Sequence, residues 1–273
     1  MVLSIPDMHT HSEYSHDSKC KIEDMMRSQI EKGTNIFAVT DHFDSYCYND
    51  YDIFTPIKKA YDTVAQLNKL HHGECQLLAG IEISEAFWHP DIYEKIKYYL
   101  DFDVIIGSVH CLRSKYYTGA YSGFDFSKPS QAVLNELLDL YFDDVLTMLD
   151  FMDFDILAHL TCPLRYIIGH YHREVDISRF IPKIHKILDV IIDRNIALEV
   201  NTSSFDLFND FMPTTNIIKM YYDKGGRLIT LGSDAHIIER ASINFDKAVK
   251  VLKEIGFDGV YYYKKRKPHK INI

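Results

Sequence analysis

Seven histidines, His9, His11, His16, His42, His110, His159 and His236, and three carboxylates, Asp41, Glu82 and Asp234, recur within or just beyond short apolar runs of this 273-residue chain. All ten are residue types that ligate divalent metals. An H-x-H pair on an extended segment points both imidazoles to one face, so His9 and His11 can share one cation. Glu82 interrupts the apolar stretch 77–83, where a carboxylate is costly unless paired or metal-bound. Bridging two cations removes that cost. Ten ligands exceed the four or so that one zinc takes and suit two or three ions. An imidazole-rich set favours Zn, Mn or Fe over Ca, which prefers oxygen.

A single histidine near a strand end is more often a packing residue than a ligand. The chain holds its own control: His170-Tyr-His172 has the same spacing but follows no apolar run, and it reads as surface, like His71, His72 and His269. The ten stand apart because they recur at one level of a repeated unit. Three divalent ions outweigh three carboxylates, so the site stays positive and suits an anion such as phosphate. Two metals about 3.5–4 Å apart acidify a water and stabilise the attacking and leaving oxygens of phosphoester hydrolysis.

The repeated unit is a short β-branched run followed by a longer amphipathic one. Strands are expected at 4–8, 35–40, 76–84, 103–109, 155–160, 196–200 and 227–231. Helices are expected at about 22–32, 56–71, 91–100, 131–149, 177–194, 214–224 and 243–255, with Gly33 ending the first. Strict alternation implies right-handed crossovers and parallel pairing, with both sheet faces covered. An open sheet would spread the ligands along an edge, whereas a barrel gathers all C-terminal strand ends at one rim. The ligand positions favour an α/β barrel with its metal site on the C-terminal rim.

Composition sets outer bounds. With 47% hydrophobic and 25% charged residues, 12 Gly and 8 Pro, disorder and collagen-like repeats are excluded. A net charge of −9 offers no general attraction to nucleic acid or anionic membrane. The N-terminus lacks a secretory signal pattern and no 18-residue apolar stretch occurs, so a cytoplasmic protein is expected. Cys20, Cys47, Cys75, Cys111 and Cys162 are odd in number and scattered, without a C-x-x-C pair. They read as reduced small hydrophobes.

The motifs D-M-H-T-H at 7–11, His16, T-D-H at 40–42, G-I-E at 80–82, G-S-V-H at 107–110, A-H-L at 158–160, E-V-N-T-S at 199–203 and G-S-D-A-H at 232–236 span almost the whole chain. In this order they resemble the PHP (polymerase and histidinol phosphatase) family, and within it the monofunctional histidinol-phosphatase branch. The resemblance implies a distorted (β/α)7 TIM-like barrel of parallel strands, one domain over residues 1–273 with a basic tail from about 264, and a trinuclear metal site. Position by position, it implies that His9, His11, Glu82 and Asp234 hold one ion and that Glu82, His110 and His159 hold a second. His16, His42 and His236 would hold the third, with Asp41 either ligating or orienting.

Arg165 stands where this branch places a phosphate-gripping arginine, a role suited to a planar bidentate donor. No basic residue follows 201–203 until Lys219, so Arg113 or Lys115 is expected to supply a second cationic contact. The loop 114–130, with Tyr116, Tyr117, Tyr121, Phe124 and Phe126, reads either as an aromatic lid or as a packed loop.

The activity this resemblance implies is metal-dependent phosphomonoester hydrolysis, with L-histidinol phosphate as substrate and Glu82, Asp234, His236 and Arg165 at the catalytic centre. A small phosphorylated substrate is the expected partner, with no nucleic acid and no membrane. The same ligands also suit another small phosphorylated metabolite, a nuclease or phosphodiesterase, or a non-catalytic barrel stapled by its ions. The charge of −9 disfavours the nuclease. Structural zinc sites are usually closed, whereas ten ligands over three ions leave positions for water, which disfavours the staple.

Overall fold

The computed structural model describes residues 5–47 and 52–273, apart from the side chain of Cys47. Its strands are β1 (Asp7–Thr10), β2 (Ile36–Val39), β3 (His42–Asp44), β4 (Gln76–Ser84), β5 (Val104–Ser108), β6 (Cys111–Arg113), β7 (Thr118–Ala120), β8 (Ile156–Leu157), β9 (Ala197–Asn201) and β10 (Ile229–Gly232). Seven of them pair in parallel in the order β1-β2-β4-β5-β8-β9-β10, and short β3 also pairs with β4. The two ends of this sheet meet. Asp234 N donates to His9 O at 2.8 Å and His11 N donates to Ala235 O at 2.9 Å. The result is the expected nearly closed barrel of seven parallel strands.

Around it run α1 (Ile22–Glu31), α2 (Phe54–Leu70), α3 (Pro90–Ile96), α4 (Gln131–Phe151), α5 (Ile181–Asp193), α6 (Phe205–Phe208), α7 (Thr215–Asp223) and α8 (Phe245–Ile255). Each of the longer helices buries one stripe. In α5 that stripe is Ile184, Ile187, Leu188 and Ile191, at the three- and four-residue spacing that aligns side chains on one face. Gly33 ends α1 at a φ of 84°, which a side chain would disfavour. The expected helix 177–194 is divided: a 3-10 turn at Ile177–Phe180 precedes α5, whose first turn carries Pro182, a residue without an N–H to continue a helix.

Alternation along the strands separates two cores. On β4, Leu77, Ala79, Ile81 and Ile83 join the clusters under the helices. Leu78 instead packs inside the barrel with Met8, Ala38, Val104, Ile106, Ile156, Ala158 and Ala197. Glu82 shares the parity of Leu78, so it faces the interior at the C-terminal end of its strand. In β1, Asp7 and Thr10 pair with Phe37 and Val39, a bulge of one residue. It lets Met8 fill the interior while the next residue, His9, also reaches inward.

The C-terminal segment differs from the expected basic tail. Residues 259–272 form an antiparallel hairpin of β11 (Gly259–Lys264) and β12 (Lys267–Asn272). Tyr263 is 2% exposed and joins the interior cluster. The lysines that suggest a tail lie on the exposed side and at the turn. Lys265 N donates to Asp103 Oδ1 at 3.0 Å, and Arg266 pairs with Asp155. Among the described residues no helix is long and apolar enough to cross a membrane. Cys20, Cys75, Cys111 and Cys162 are unpaired, as expected for reduced thiols, and burial pushes the Cys75 thiol up to about 12. The Cys47 side chain lies outside the described residues.

Candidate metal centre

Glu82 is fully buried and has imidazoles on both oxygens. Its Oε2 lies 3.3 Å from His9 Nε2, 3.6 Å from His11 Nε2 and 2.9 Å from His42 Nδ1. Its Oε1 lies 3.1 Å from His110 Nε2 and 2.9 Å from His159 Nε2. Asp234 Oδ1 is 3.3 Å from His11 Nε2 and 3.7 Å from His236 Nδ1. His159 and Asp234 stand just past β8 and β10 at φ of 23° and 52°. Side chains adopt that backbone at a cost, and such strain gathers at functional sites.

Four overlapping sets have ligand atoms within 4.8 Å of one another: His9, His11 and Asp234; His9, Glu82 and His159; His42, Glu82 and His110; and His11, His42 and His236. His9 Nε2, His11 Nε2, His42 Nδ1 and Glu82 Oε2 are buried without a hydrogen-bond partner. Orphaned polar atoms are expensive in a protein interior. Divalent cations would satisfy all four, so the donor set fits the metals expected from sequence.

The electrostatics agree. Burial favours neutral imidazoles, but Glu199 and Glu82 together hold His9 well above its usual value, and Asp44 and Glu82 do the same for His42. Against the same burial, the Glu82 charge and Asp44 raise His110, and hydrogen bonds that His159 donates to Cys162 and Glu82 bring it up to about 9. His11 is the exception, pushed well down by burial and by the charges of His236 and His42. Burial opposes ionisation of Glu82 and Asp234, yet the imidazoles around the one and Arg165 beside the other keep both carboxyls well below the usual range. Cations and protons compete for the same lone pairs here.

Residues 7–203 match the family model described as the PHP domain. The chain belongs to the PHP domain family. It is 29% identical over 267 residues to a probable histidinol-phosphatase of Clostridium acetobutylicum, covering 95% of this chain and 97% of the relative. A probable histidinol-phosphatase of Thermotoga maritima is 29% identical over 258 residues, covering 92% and 93%. The solved structure of histidinol phosphate phosphatase from Lactococcus lactis, complexed with zinc, L-histidinol and phosphate, shares the fold at a TM-score of 0.79 and 24% identity, covering 98% of this chain and all of that one.

In this PHP domain the structure brings eight of the ten sequence-derived ligands into the four sets. The ninth, His16, has a side chain that is 64% exposed and faces Asp44 Oδ2 at 3.5 Å, and it joins none of them. Asp41 is the tenth. Its buried carboxylate accepts Ser12 N at 2.6 Å, Ser12 Oγ at 2.6 Å and Ser15 Oγ at 2.8 Å, and neither oxygen belongs to a metal-capable set. Ser15 Oγ in turn lies 3.2 Å from His11 Nδ1 and accepts from His42 N at 3.1 Å. Of the two roles expected for Asp41, the geometry favours orienting.

Arg165 opens a π-helical turn (Arg165–His170), lines the cavity over the site, donates to Asp234 Oδ2 at 3.0 Å and bonds Ser203 Oγ. Arg113 and Lys115 do not reach that cavity, which corrects the expected second contact. The Arg113 guanidinium lies over the Trp88 ring at 4.5 Å, and Lys115 pairs with Glu136 at 2.9 Å. The 114–130 segment is packed rather than a free lid, since Tyr121 and Phe126 are each 1% exposed. Ala120 and Ser122 line the cavity. A larger cleft beside Tyr61, Lys97 and Arg266 touches none of the ten ligands.

Three carboxylates escaped the sequence reading. Asp17 Oδ2 is 3.0 Å from His236 Nε2 and 3.5 Å from His42 Nε2. Asp44 Oδ1 is 3.4 Å from His110 Nδ1. Glu199 Oε1 is 2.7 Å from His9 Nδ1. Asp17 directly follows His16 and Asp44 lies two residues after His42, a proximity that could have marked both. Glu199 opens the E-V-N-T-S motif.

Proposed function

We propose that this protein is a metal-dependent phosphomonoesterase that hydrolyses L-histidinol phosphate to L-histidinol and phosphate, with residues 1–273 acting as one domain in the cytoplasm. The observation that carries the reading is the convergence of five imidazoles on the two oxygens of Glu82. Its substrate follows from the relatives named histidinol-phosphatase and from the L. lactis structure that holds zinc, L-histidinol and phosphate.

We assign His9, His11, Glu82 and Asp234 as the residues that would hold one ion, and Glu82, His110 and His159 as those that would hold a second. His42, His236 and His16 would hold the third. Bound there, the divalent ions supply Lewis acidity for activating water and neutralising phosphoryl charge. Glu82 and Asp234 stay ionised to hold them. Arg165 donates to the non-bridging phosphoryl oxygens, with its guanidinium aimed by Ser203 and Asp234. His236, 26% exposed at the cavity wall, faces the incoming group.

Arg165 is the one lysine or arginine among the described residues lining that cavity. A single cation matches one terminal phosphate and offers no track for a nucleic-acid backbone. The test is a rate comparison for the zinc- or manganese-loaded protein on L-histidinol phosphate, other phosphomonoesters, a dinucleotide and single-stranded DNA. L-Histidinol phosphate should give the highest kcat/KM. Release of phosphate from none of the monoesters, or faster cleavage of the nucleic acids, would overturn the reading.

A further inference from the structure

We propose that Glu199 is a positioning residue that fixes the spacing of the first two ion sites, and that Gly232 is the residue that makes room for it. The inference rests on the metal-dependent reading above. Glu199 lies on β9, is 1% exposed and belongs to none of the metal-capable sets. It nonetheless touches both ends of the Glu82 bridge. Its Oε1 lies 2.7 Å from His9 Nδ1, while its Oε2 accepts the His159 backbone N–H at 2.7 Å and Asn201 Nδ2 at 3.2 Å.

These two contacts act on different ligands. On β1, a hydrogen bond from His9 Nδ1–H to Glu199 leaves Nε2 as the nitrogen that a cation would take, and that atom is 3.3 Å from Glu82 Oε2. Past β8, the bond to His159 N holds a backbone at φ of 23°, from which His159 Nε2 reaches Glu82 Oε1 at 2.9 Å. One carboxylate therefore ties a side chain of the first group to the main chain of the second. A shift of Glu199 would move the two apart together.

Gly232 supplies the independent observation. A Cβ built there would collide with Glu199 Oε1 and would come within 2.7 Å of His9 Cβ. Any side chain at 232 must displace the Glu199–His9 pair, although it removes no ligand and no charge. Glycine is required here for close approach, since the positive-φ glycines do not include it.

Zinc affinity, measured by competition with a chromophoric chelator, and the visible spectrum of the cobalt-loaded protein test this without reference to turnover. Glu199→Gln keeps the shape but offers one acceptor oxygen to the three donors His9 Nδ1, His159 N and Asn201 Nδ2. Gly232→Ala keeps the carboxylate and displaces it. Each folded variant should bind zinc about 10–100-fold more weakly at one or more sites, with altered cobalt bands and wild-type circular dichroism. Wild-type affinity and spectrum in either folded variant would overturn the inference. If Glu199→Gln does not fold, Gly232→Ala decides. Unfolding of both would make the pair a core-packing element and would also overturn it. Failure of the wild type itself to bind zinc counts against the metal-dependent reading instead.

Discussion

Arg165 Nη2 lies 3.0 Å from Asp234 Oδ2, while the other oxygen of the same carboxylate faces His11 Nε2 at 3.3 Å. Arg165, proposed to grip phosphate, and His11, proposed to hold a metal, thus share one carboxylate, which fixes the guanidinium at the cavity wall. Arg165→Lys loses the planar fork and Arg165→Ala the donor altogether. Loss of a preorganised donor to developing charge costs about 10²–10³ in rate. Steady-state kinetics on L-histidinol phosphate should show that fall in kcat/KM for Arg165→Ala and a smaller one for Arg165→Lys, with metal content unchanged. Normal kcat/KM in Arg165→Ala would remove Arg165 from the catalytic centre.

Asp41 separates ligation from orientation. Its carboxylate takes three donors from Ser12 and Ser15, and an amide in its place must turn an N–H towards at least one of them. Asp41→Asn should destabilise the fold by about 1–3 kcal/mol through that buried mismatch and keep its metals. Elemental analysis beside urea unfolding checks this. Loss of an ion with unchanged stability would instead make Asp41 a ligand.

Much of this was legible because most of the candidate ligands lie within or just beyond an apolar run, and a polar residue at a buried strand end is expensive without a reason. The seven β-then-α units follow from the same runs. Strand limits did not: the expected 155–160 shrinks to β8 (Ile156–Leu157) because His159 leaves the extended conformation. Glu199 and His9 are 190 residues apart, so neither periodicity nor local spacing pairs them. The charge of Arg113 and Lys115 carries no direction in the sequence, and nearby Trp88 and Glu136 take both. Lysines between 264 and 270 hid a hairpin whose inward residue is Tyr263.

Away from the metals, Asp144 on α4 should shape the pH dependence of stability. Burial, with the charges of Glu85 and Asp143, pushes its carboxyl up to about 7 from the 3.8 of an unfolded chain. Between those values the native state holds more protons than the unfolded one, so this group's contribution falls as pH rises and is fully unfavourable above about 7. After discounting for its partial exposure, Asp144→Asn should be more stable than wild type by about 1–2 kcal/mol at pH 8. The difference should vanish towards pH 4. Urea midpoints of both proteins at each pH measure it, and a gap that is constant or larger at pH 4 would contradict the sign.

The central claim is that Glu82 bridges two ions, and metal content tests it most directly. Glu82→Gln keeps the volume but removes the charge and one strong ligand from each site. Elemental analysis of the purified variant should show about two of three ions lost, with kcat on L-histidinol phosphate lower by about a hundredfold or more. His170, exposed on the π-helical turn, is the control, and His170→Ala should keep both metal and rate. Full metal content with near-normal turnover in Glu82→Gln would contradict the bridge, and metal loss in His170→Ala would mean that the wrong histidines form the site.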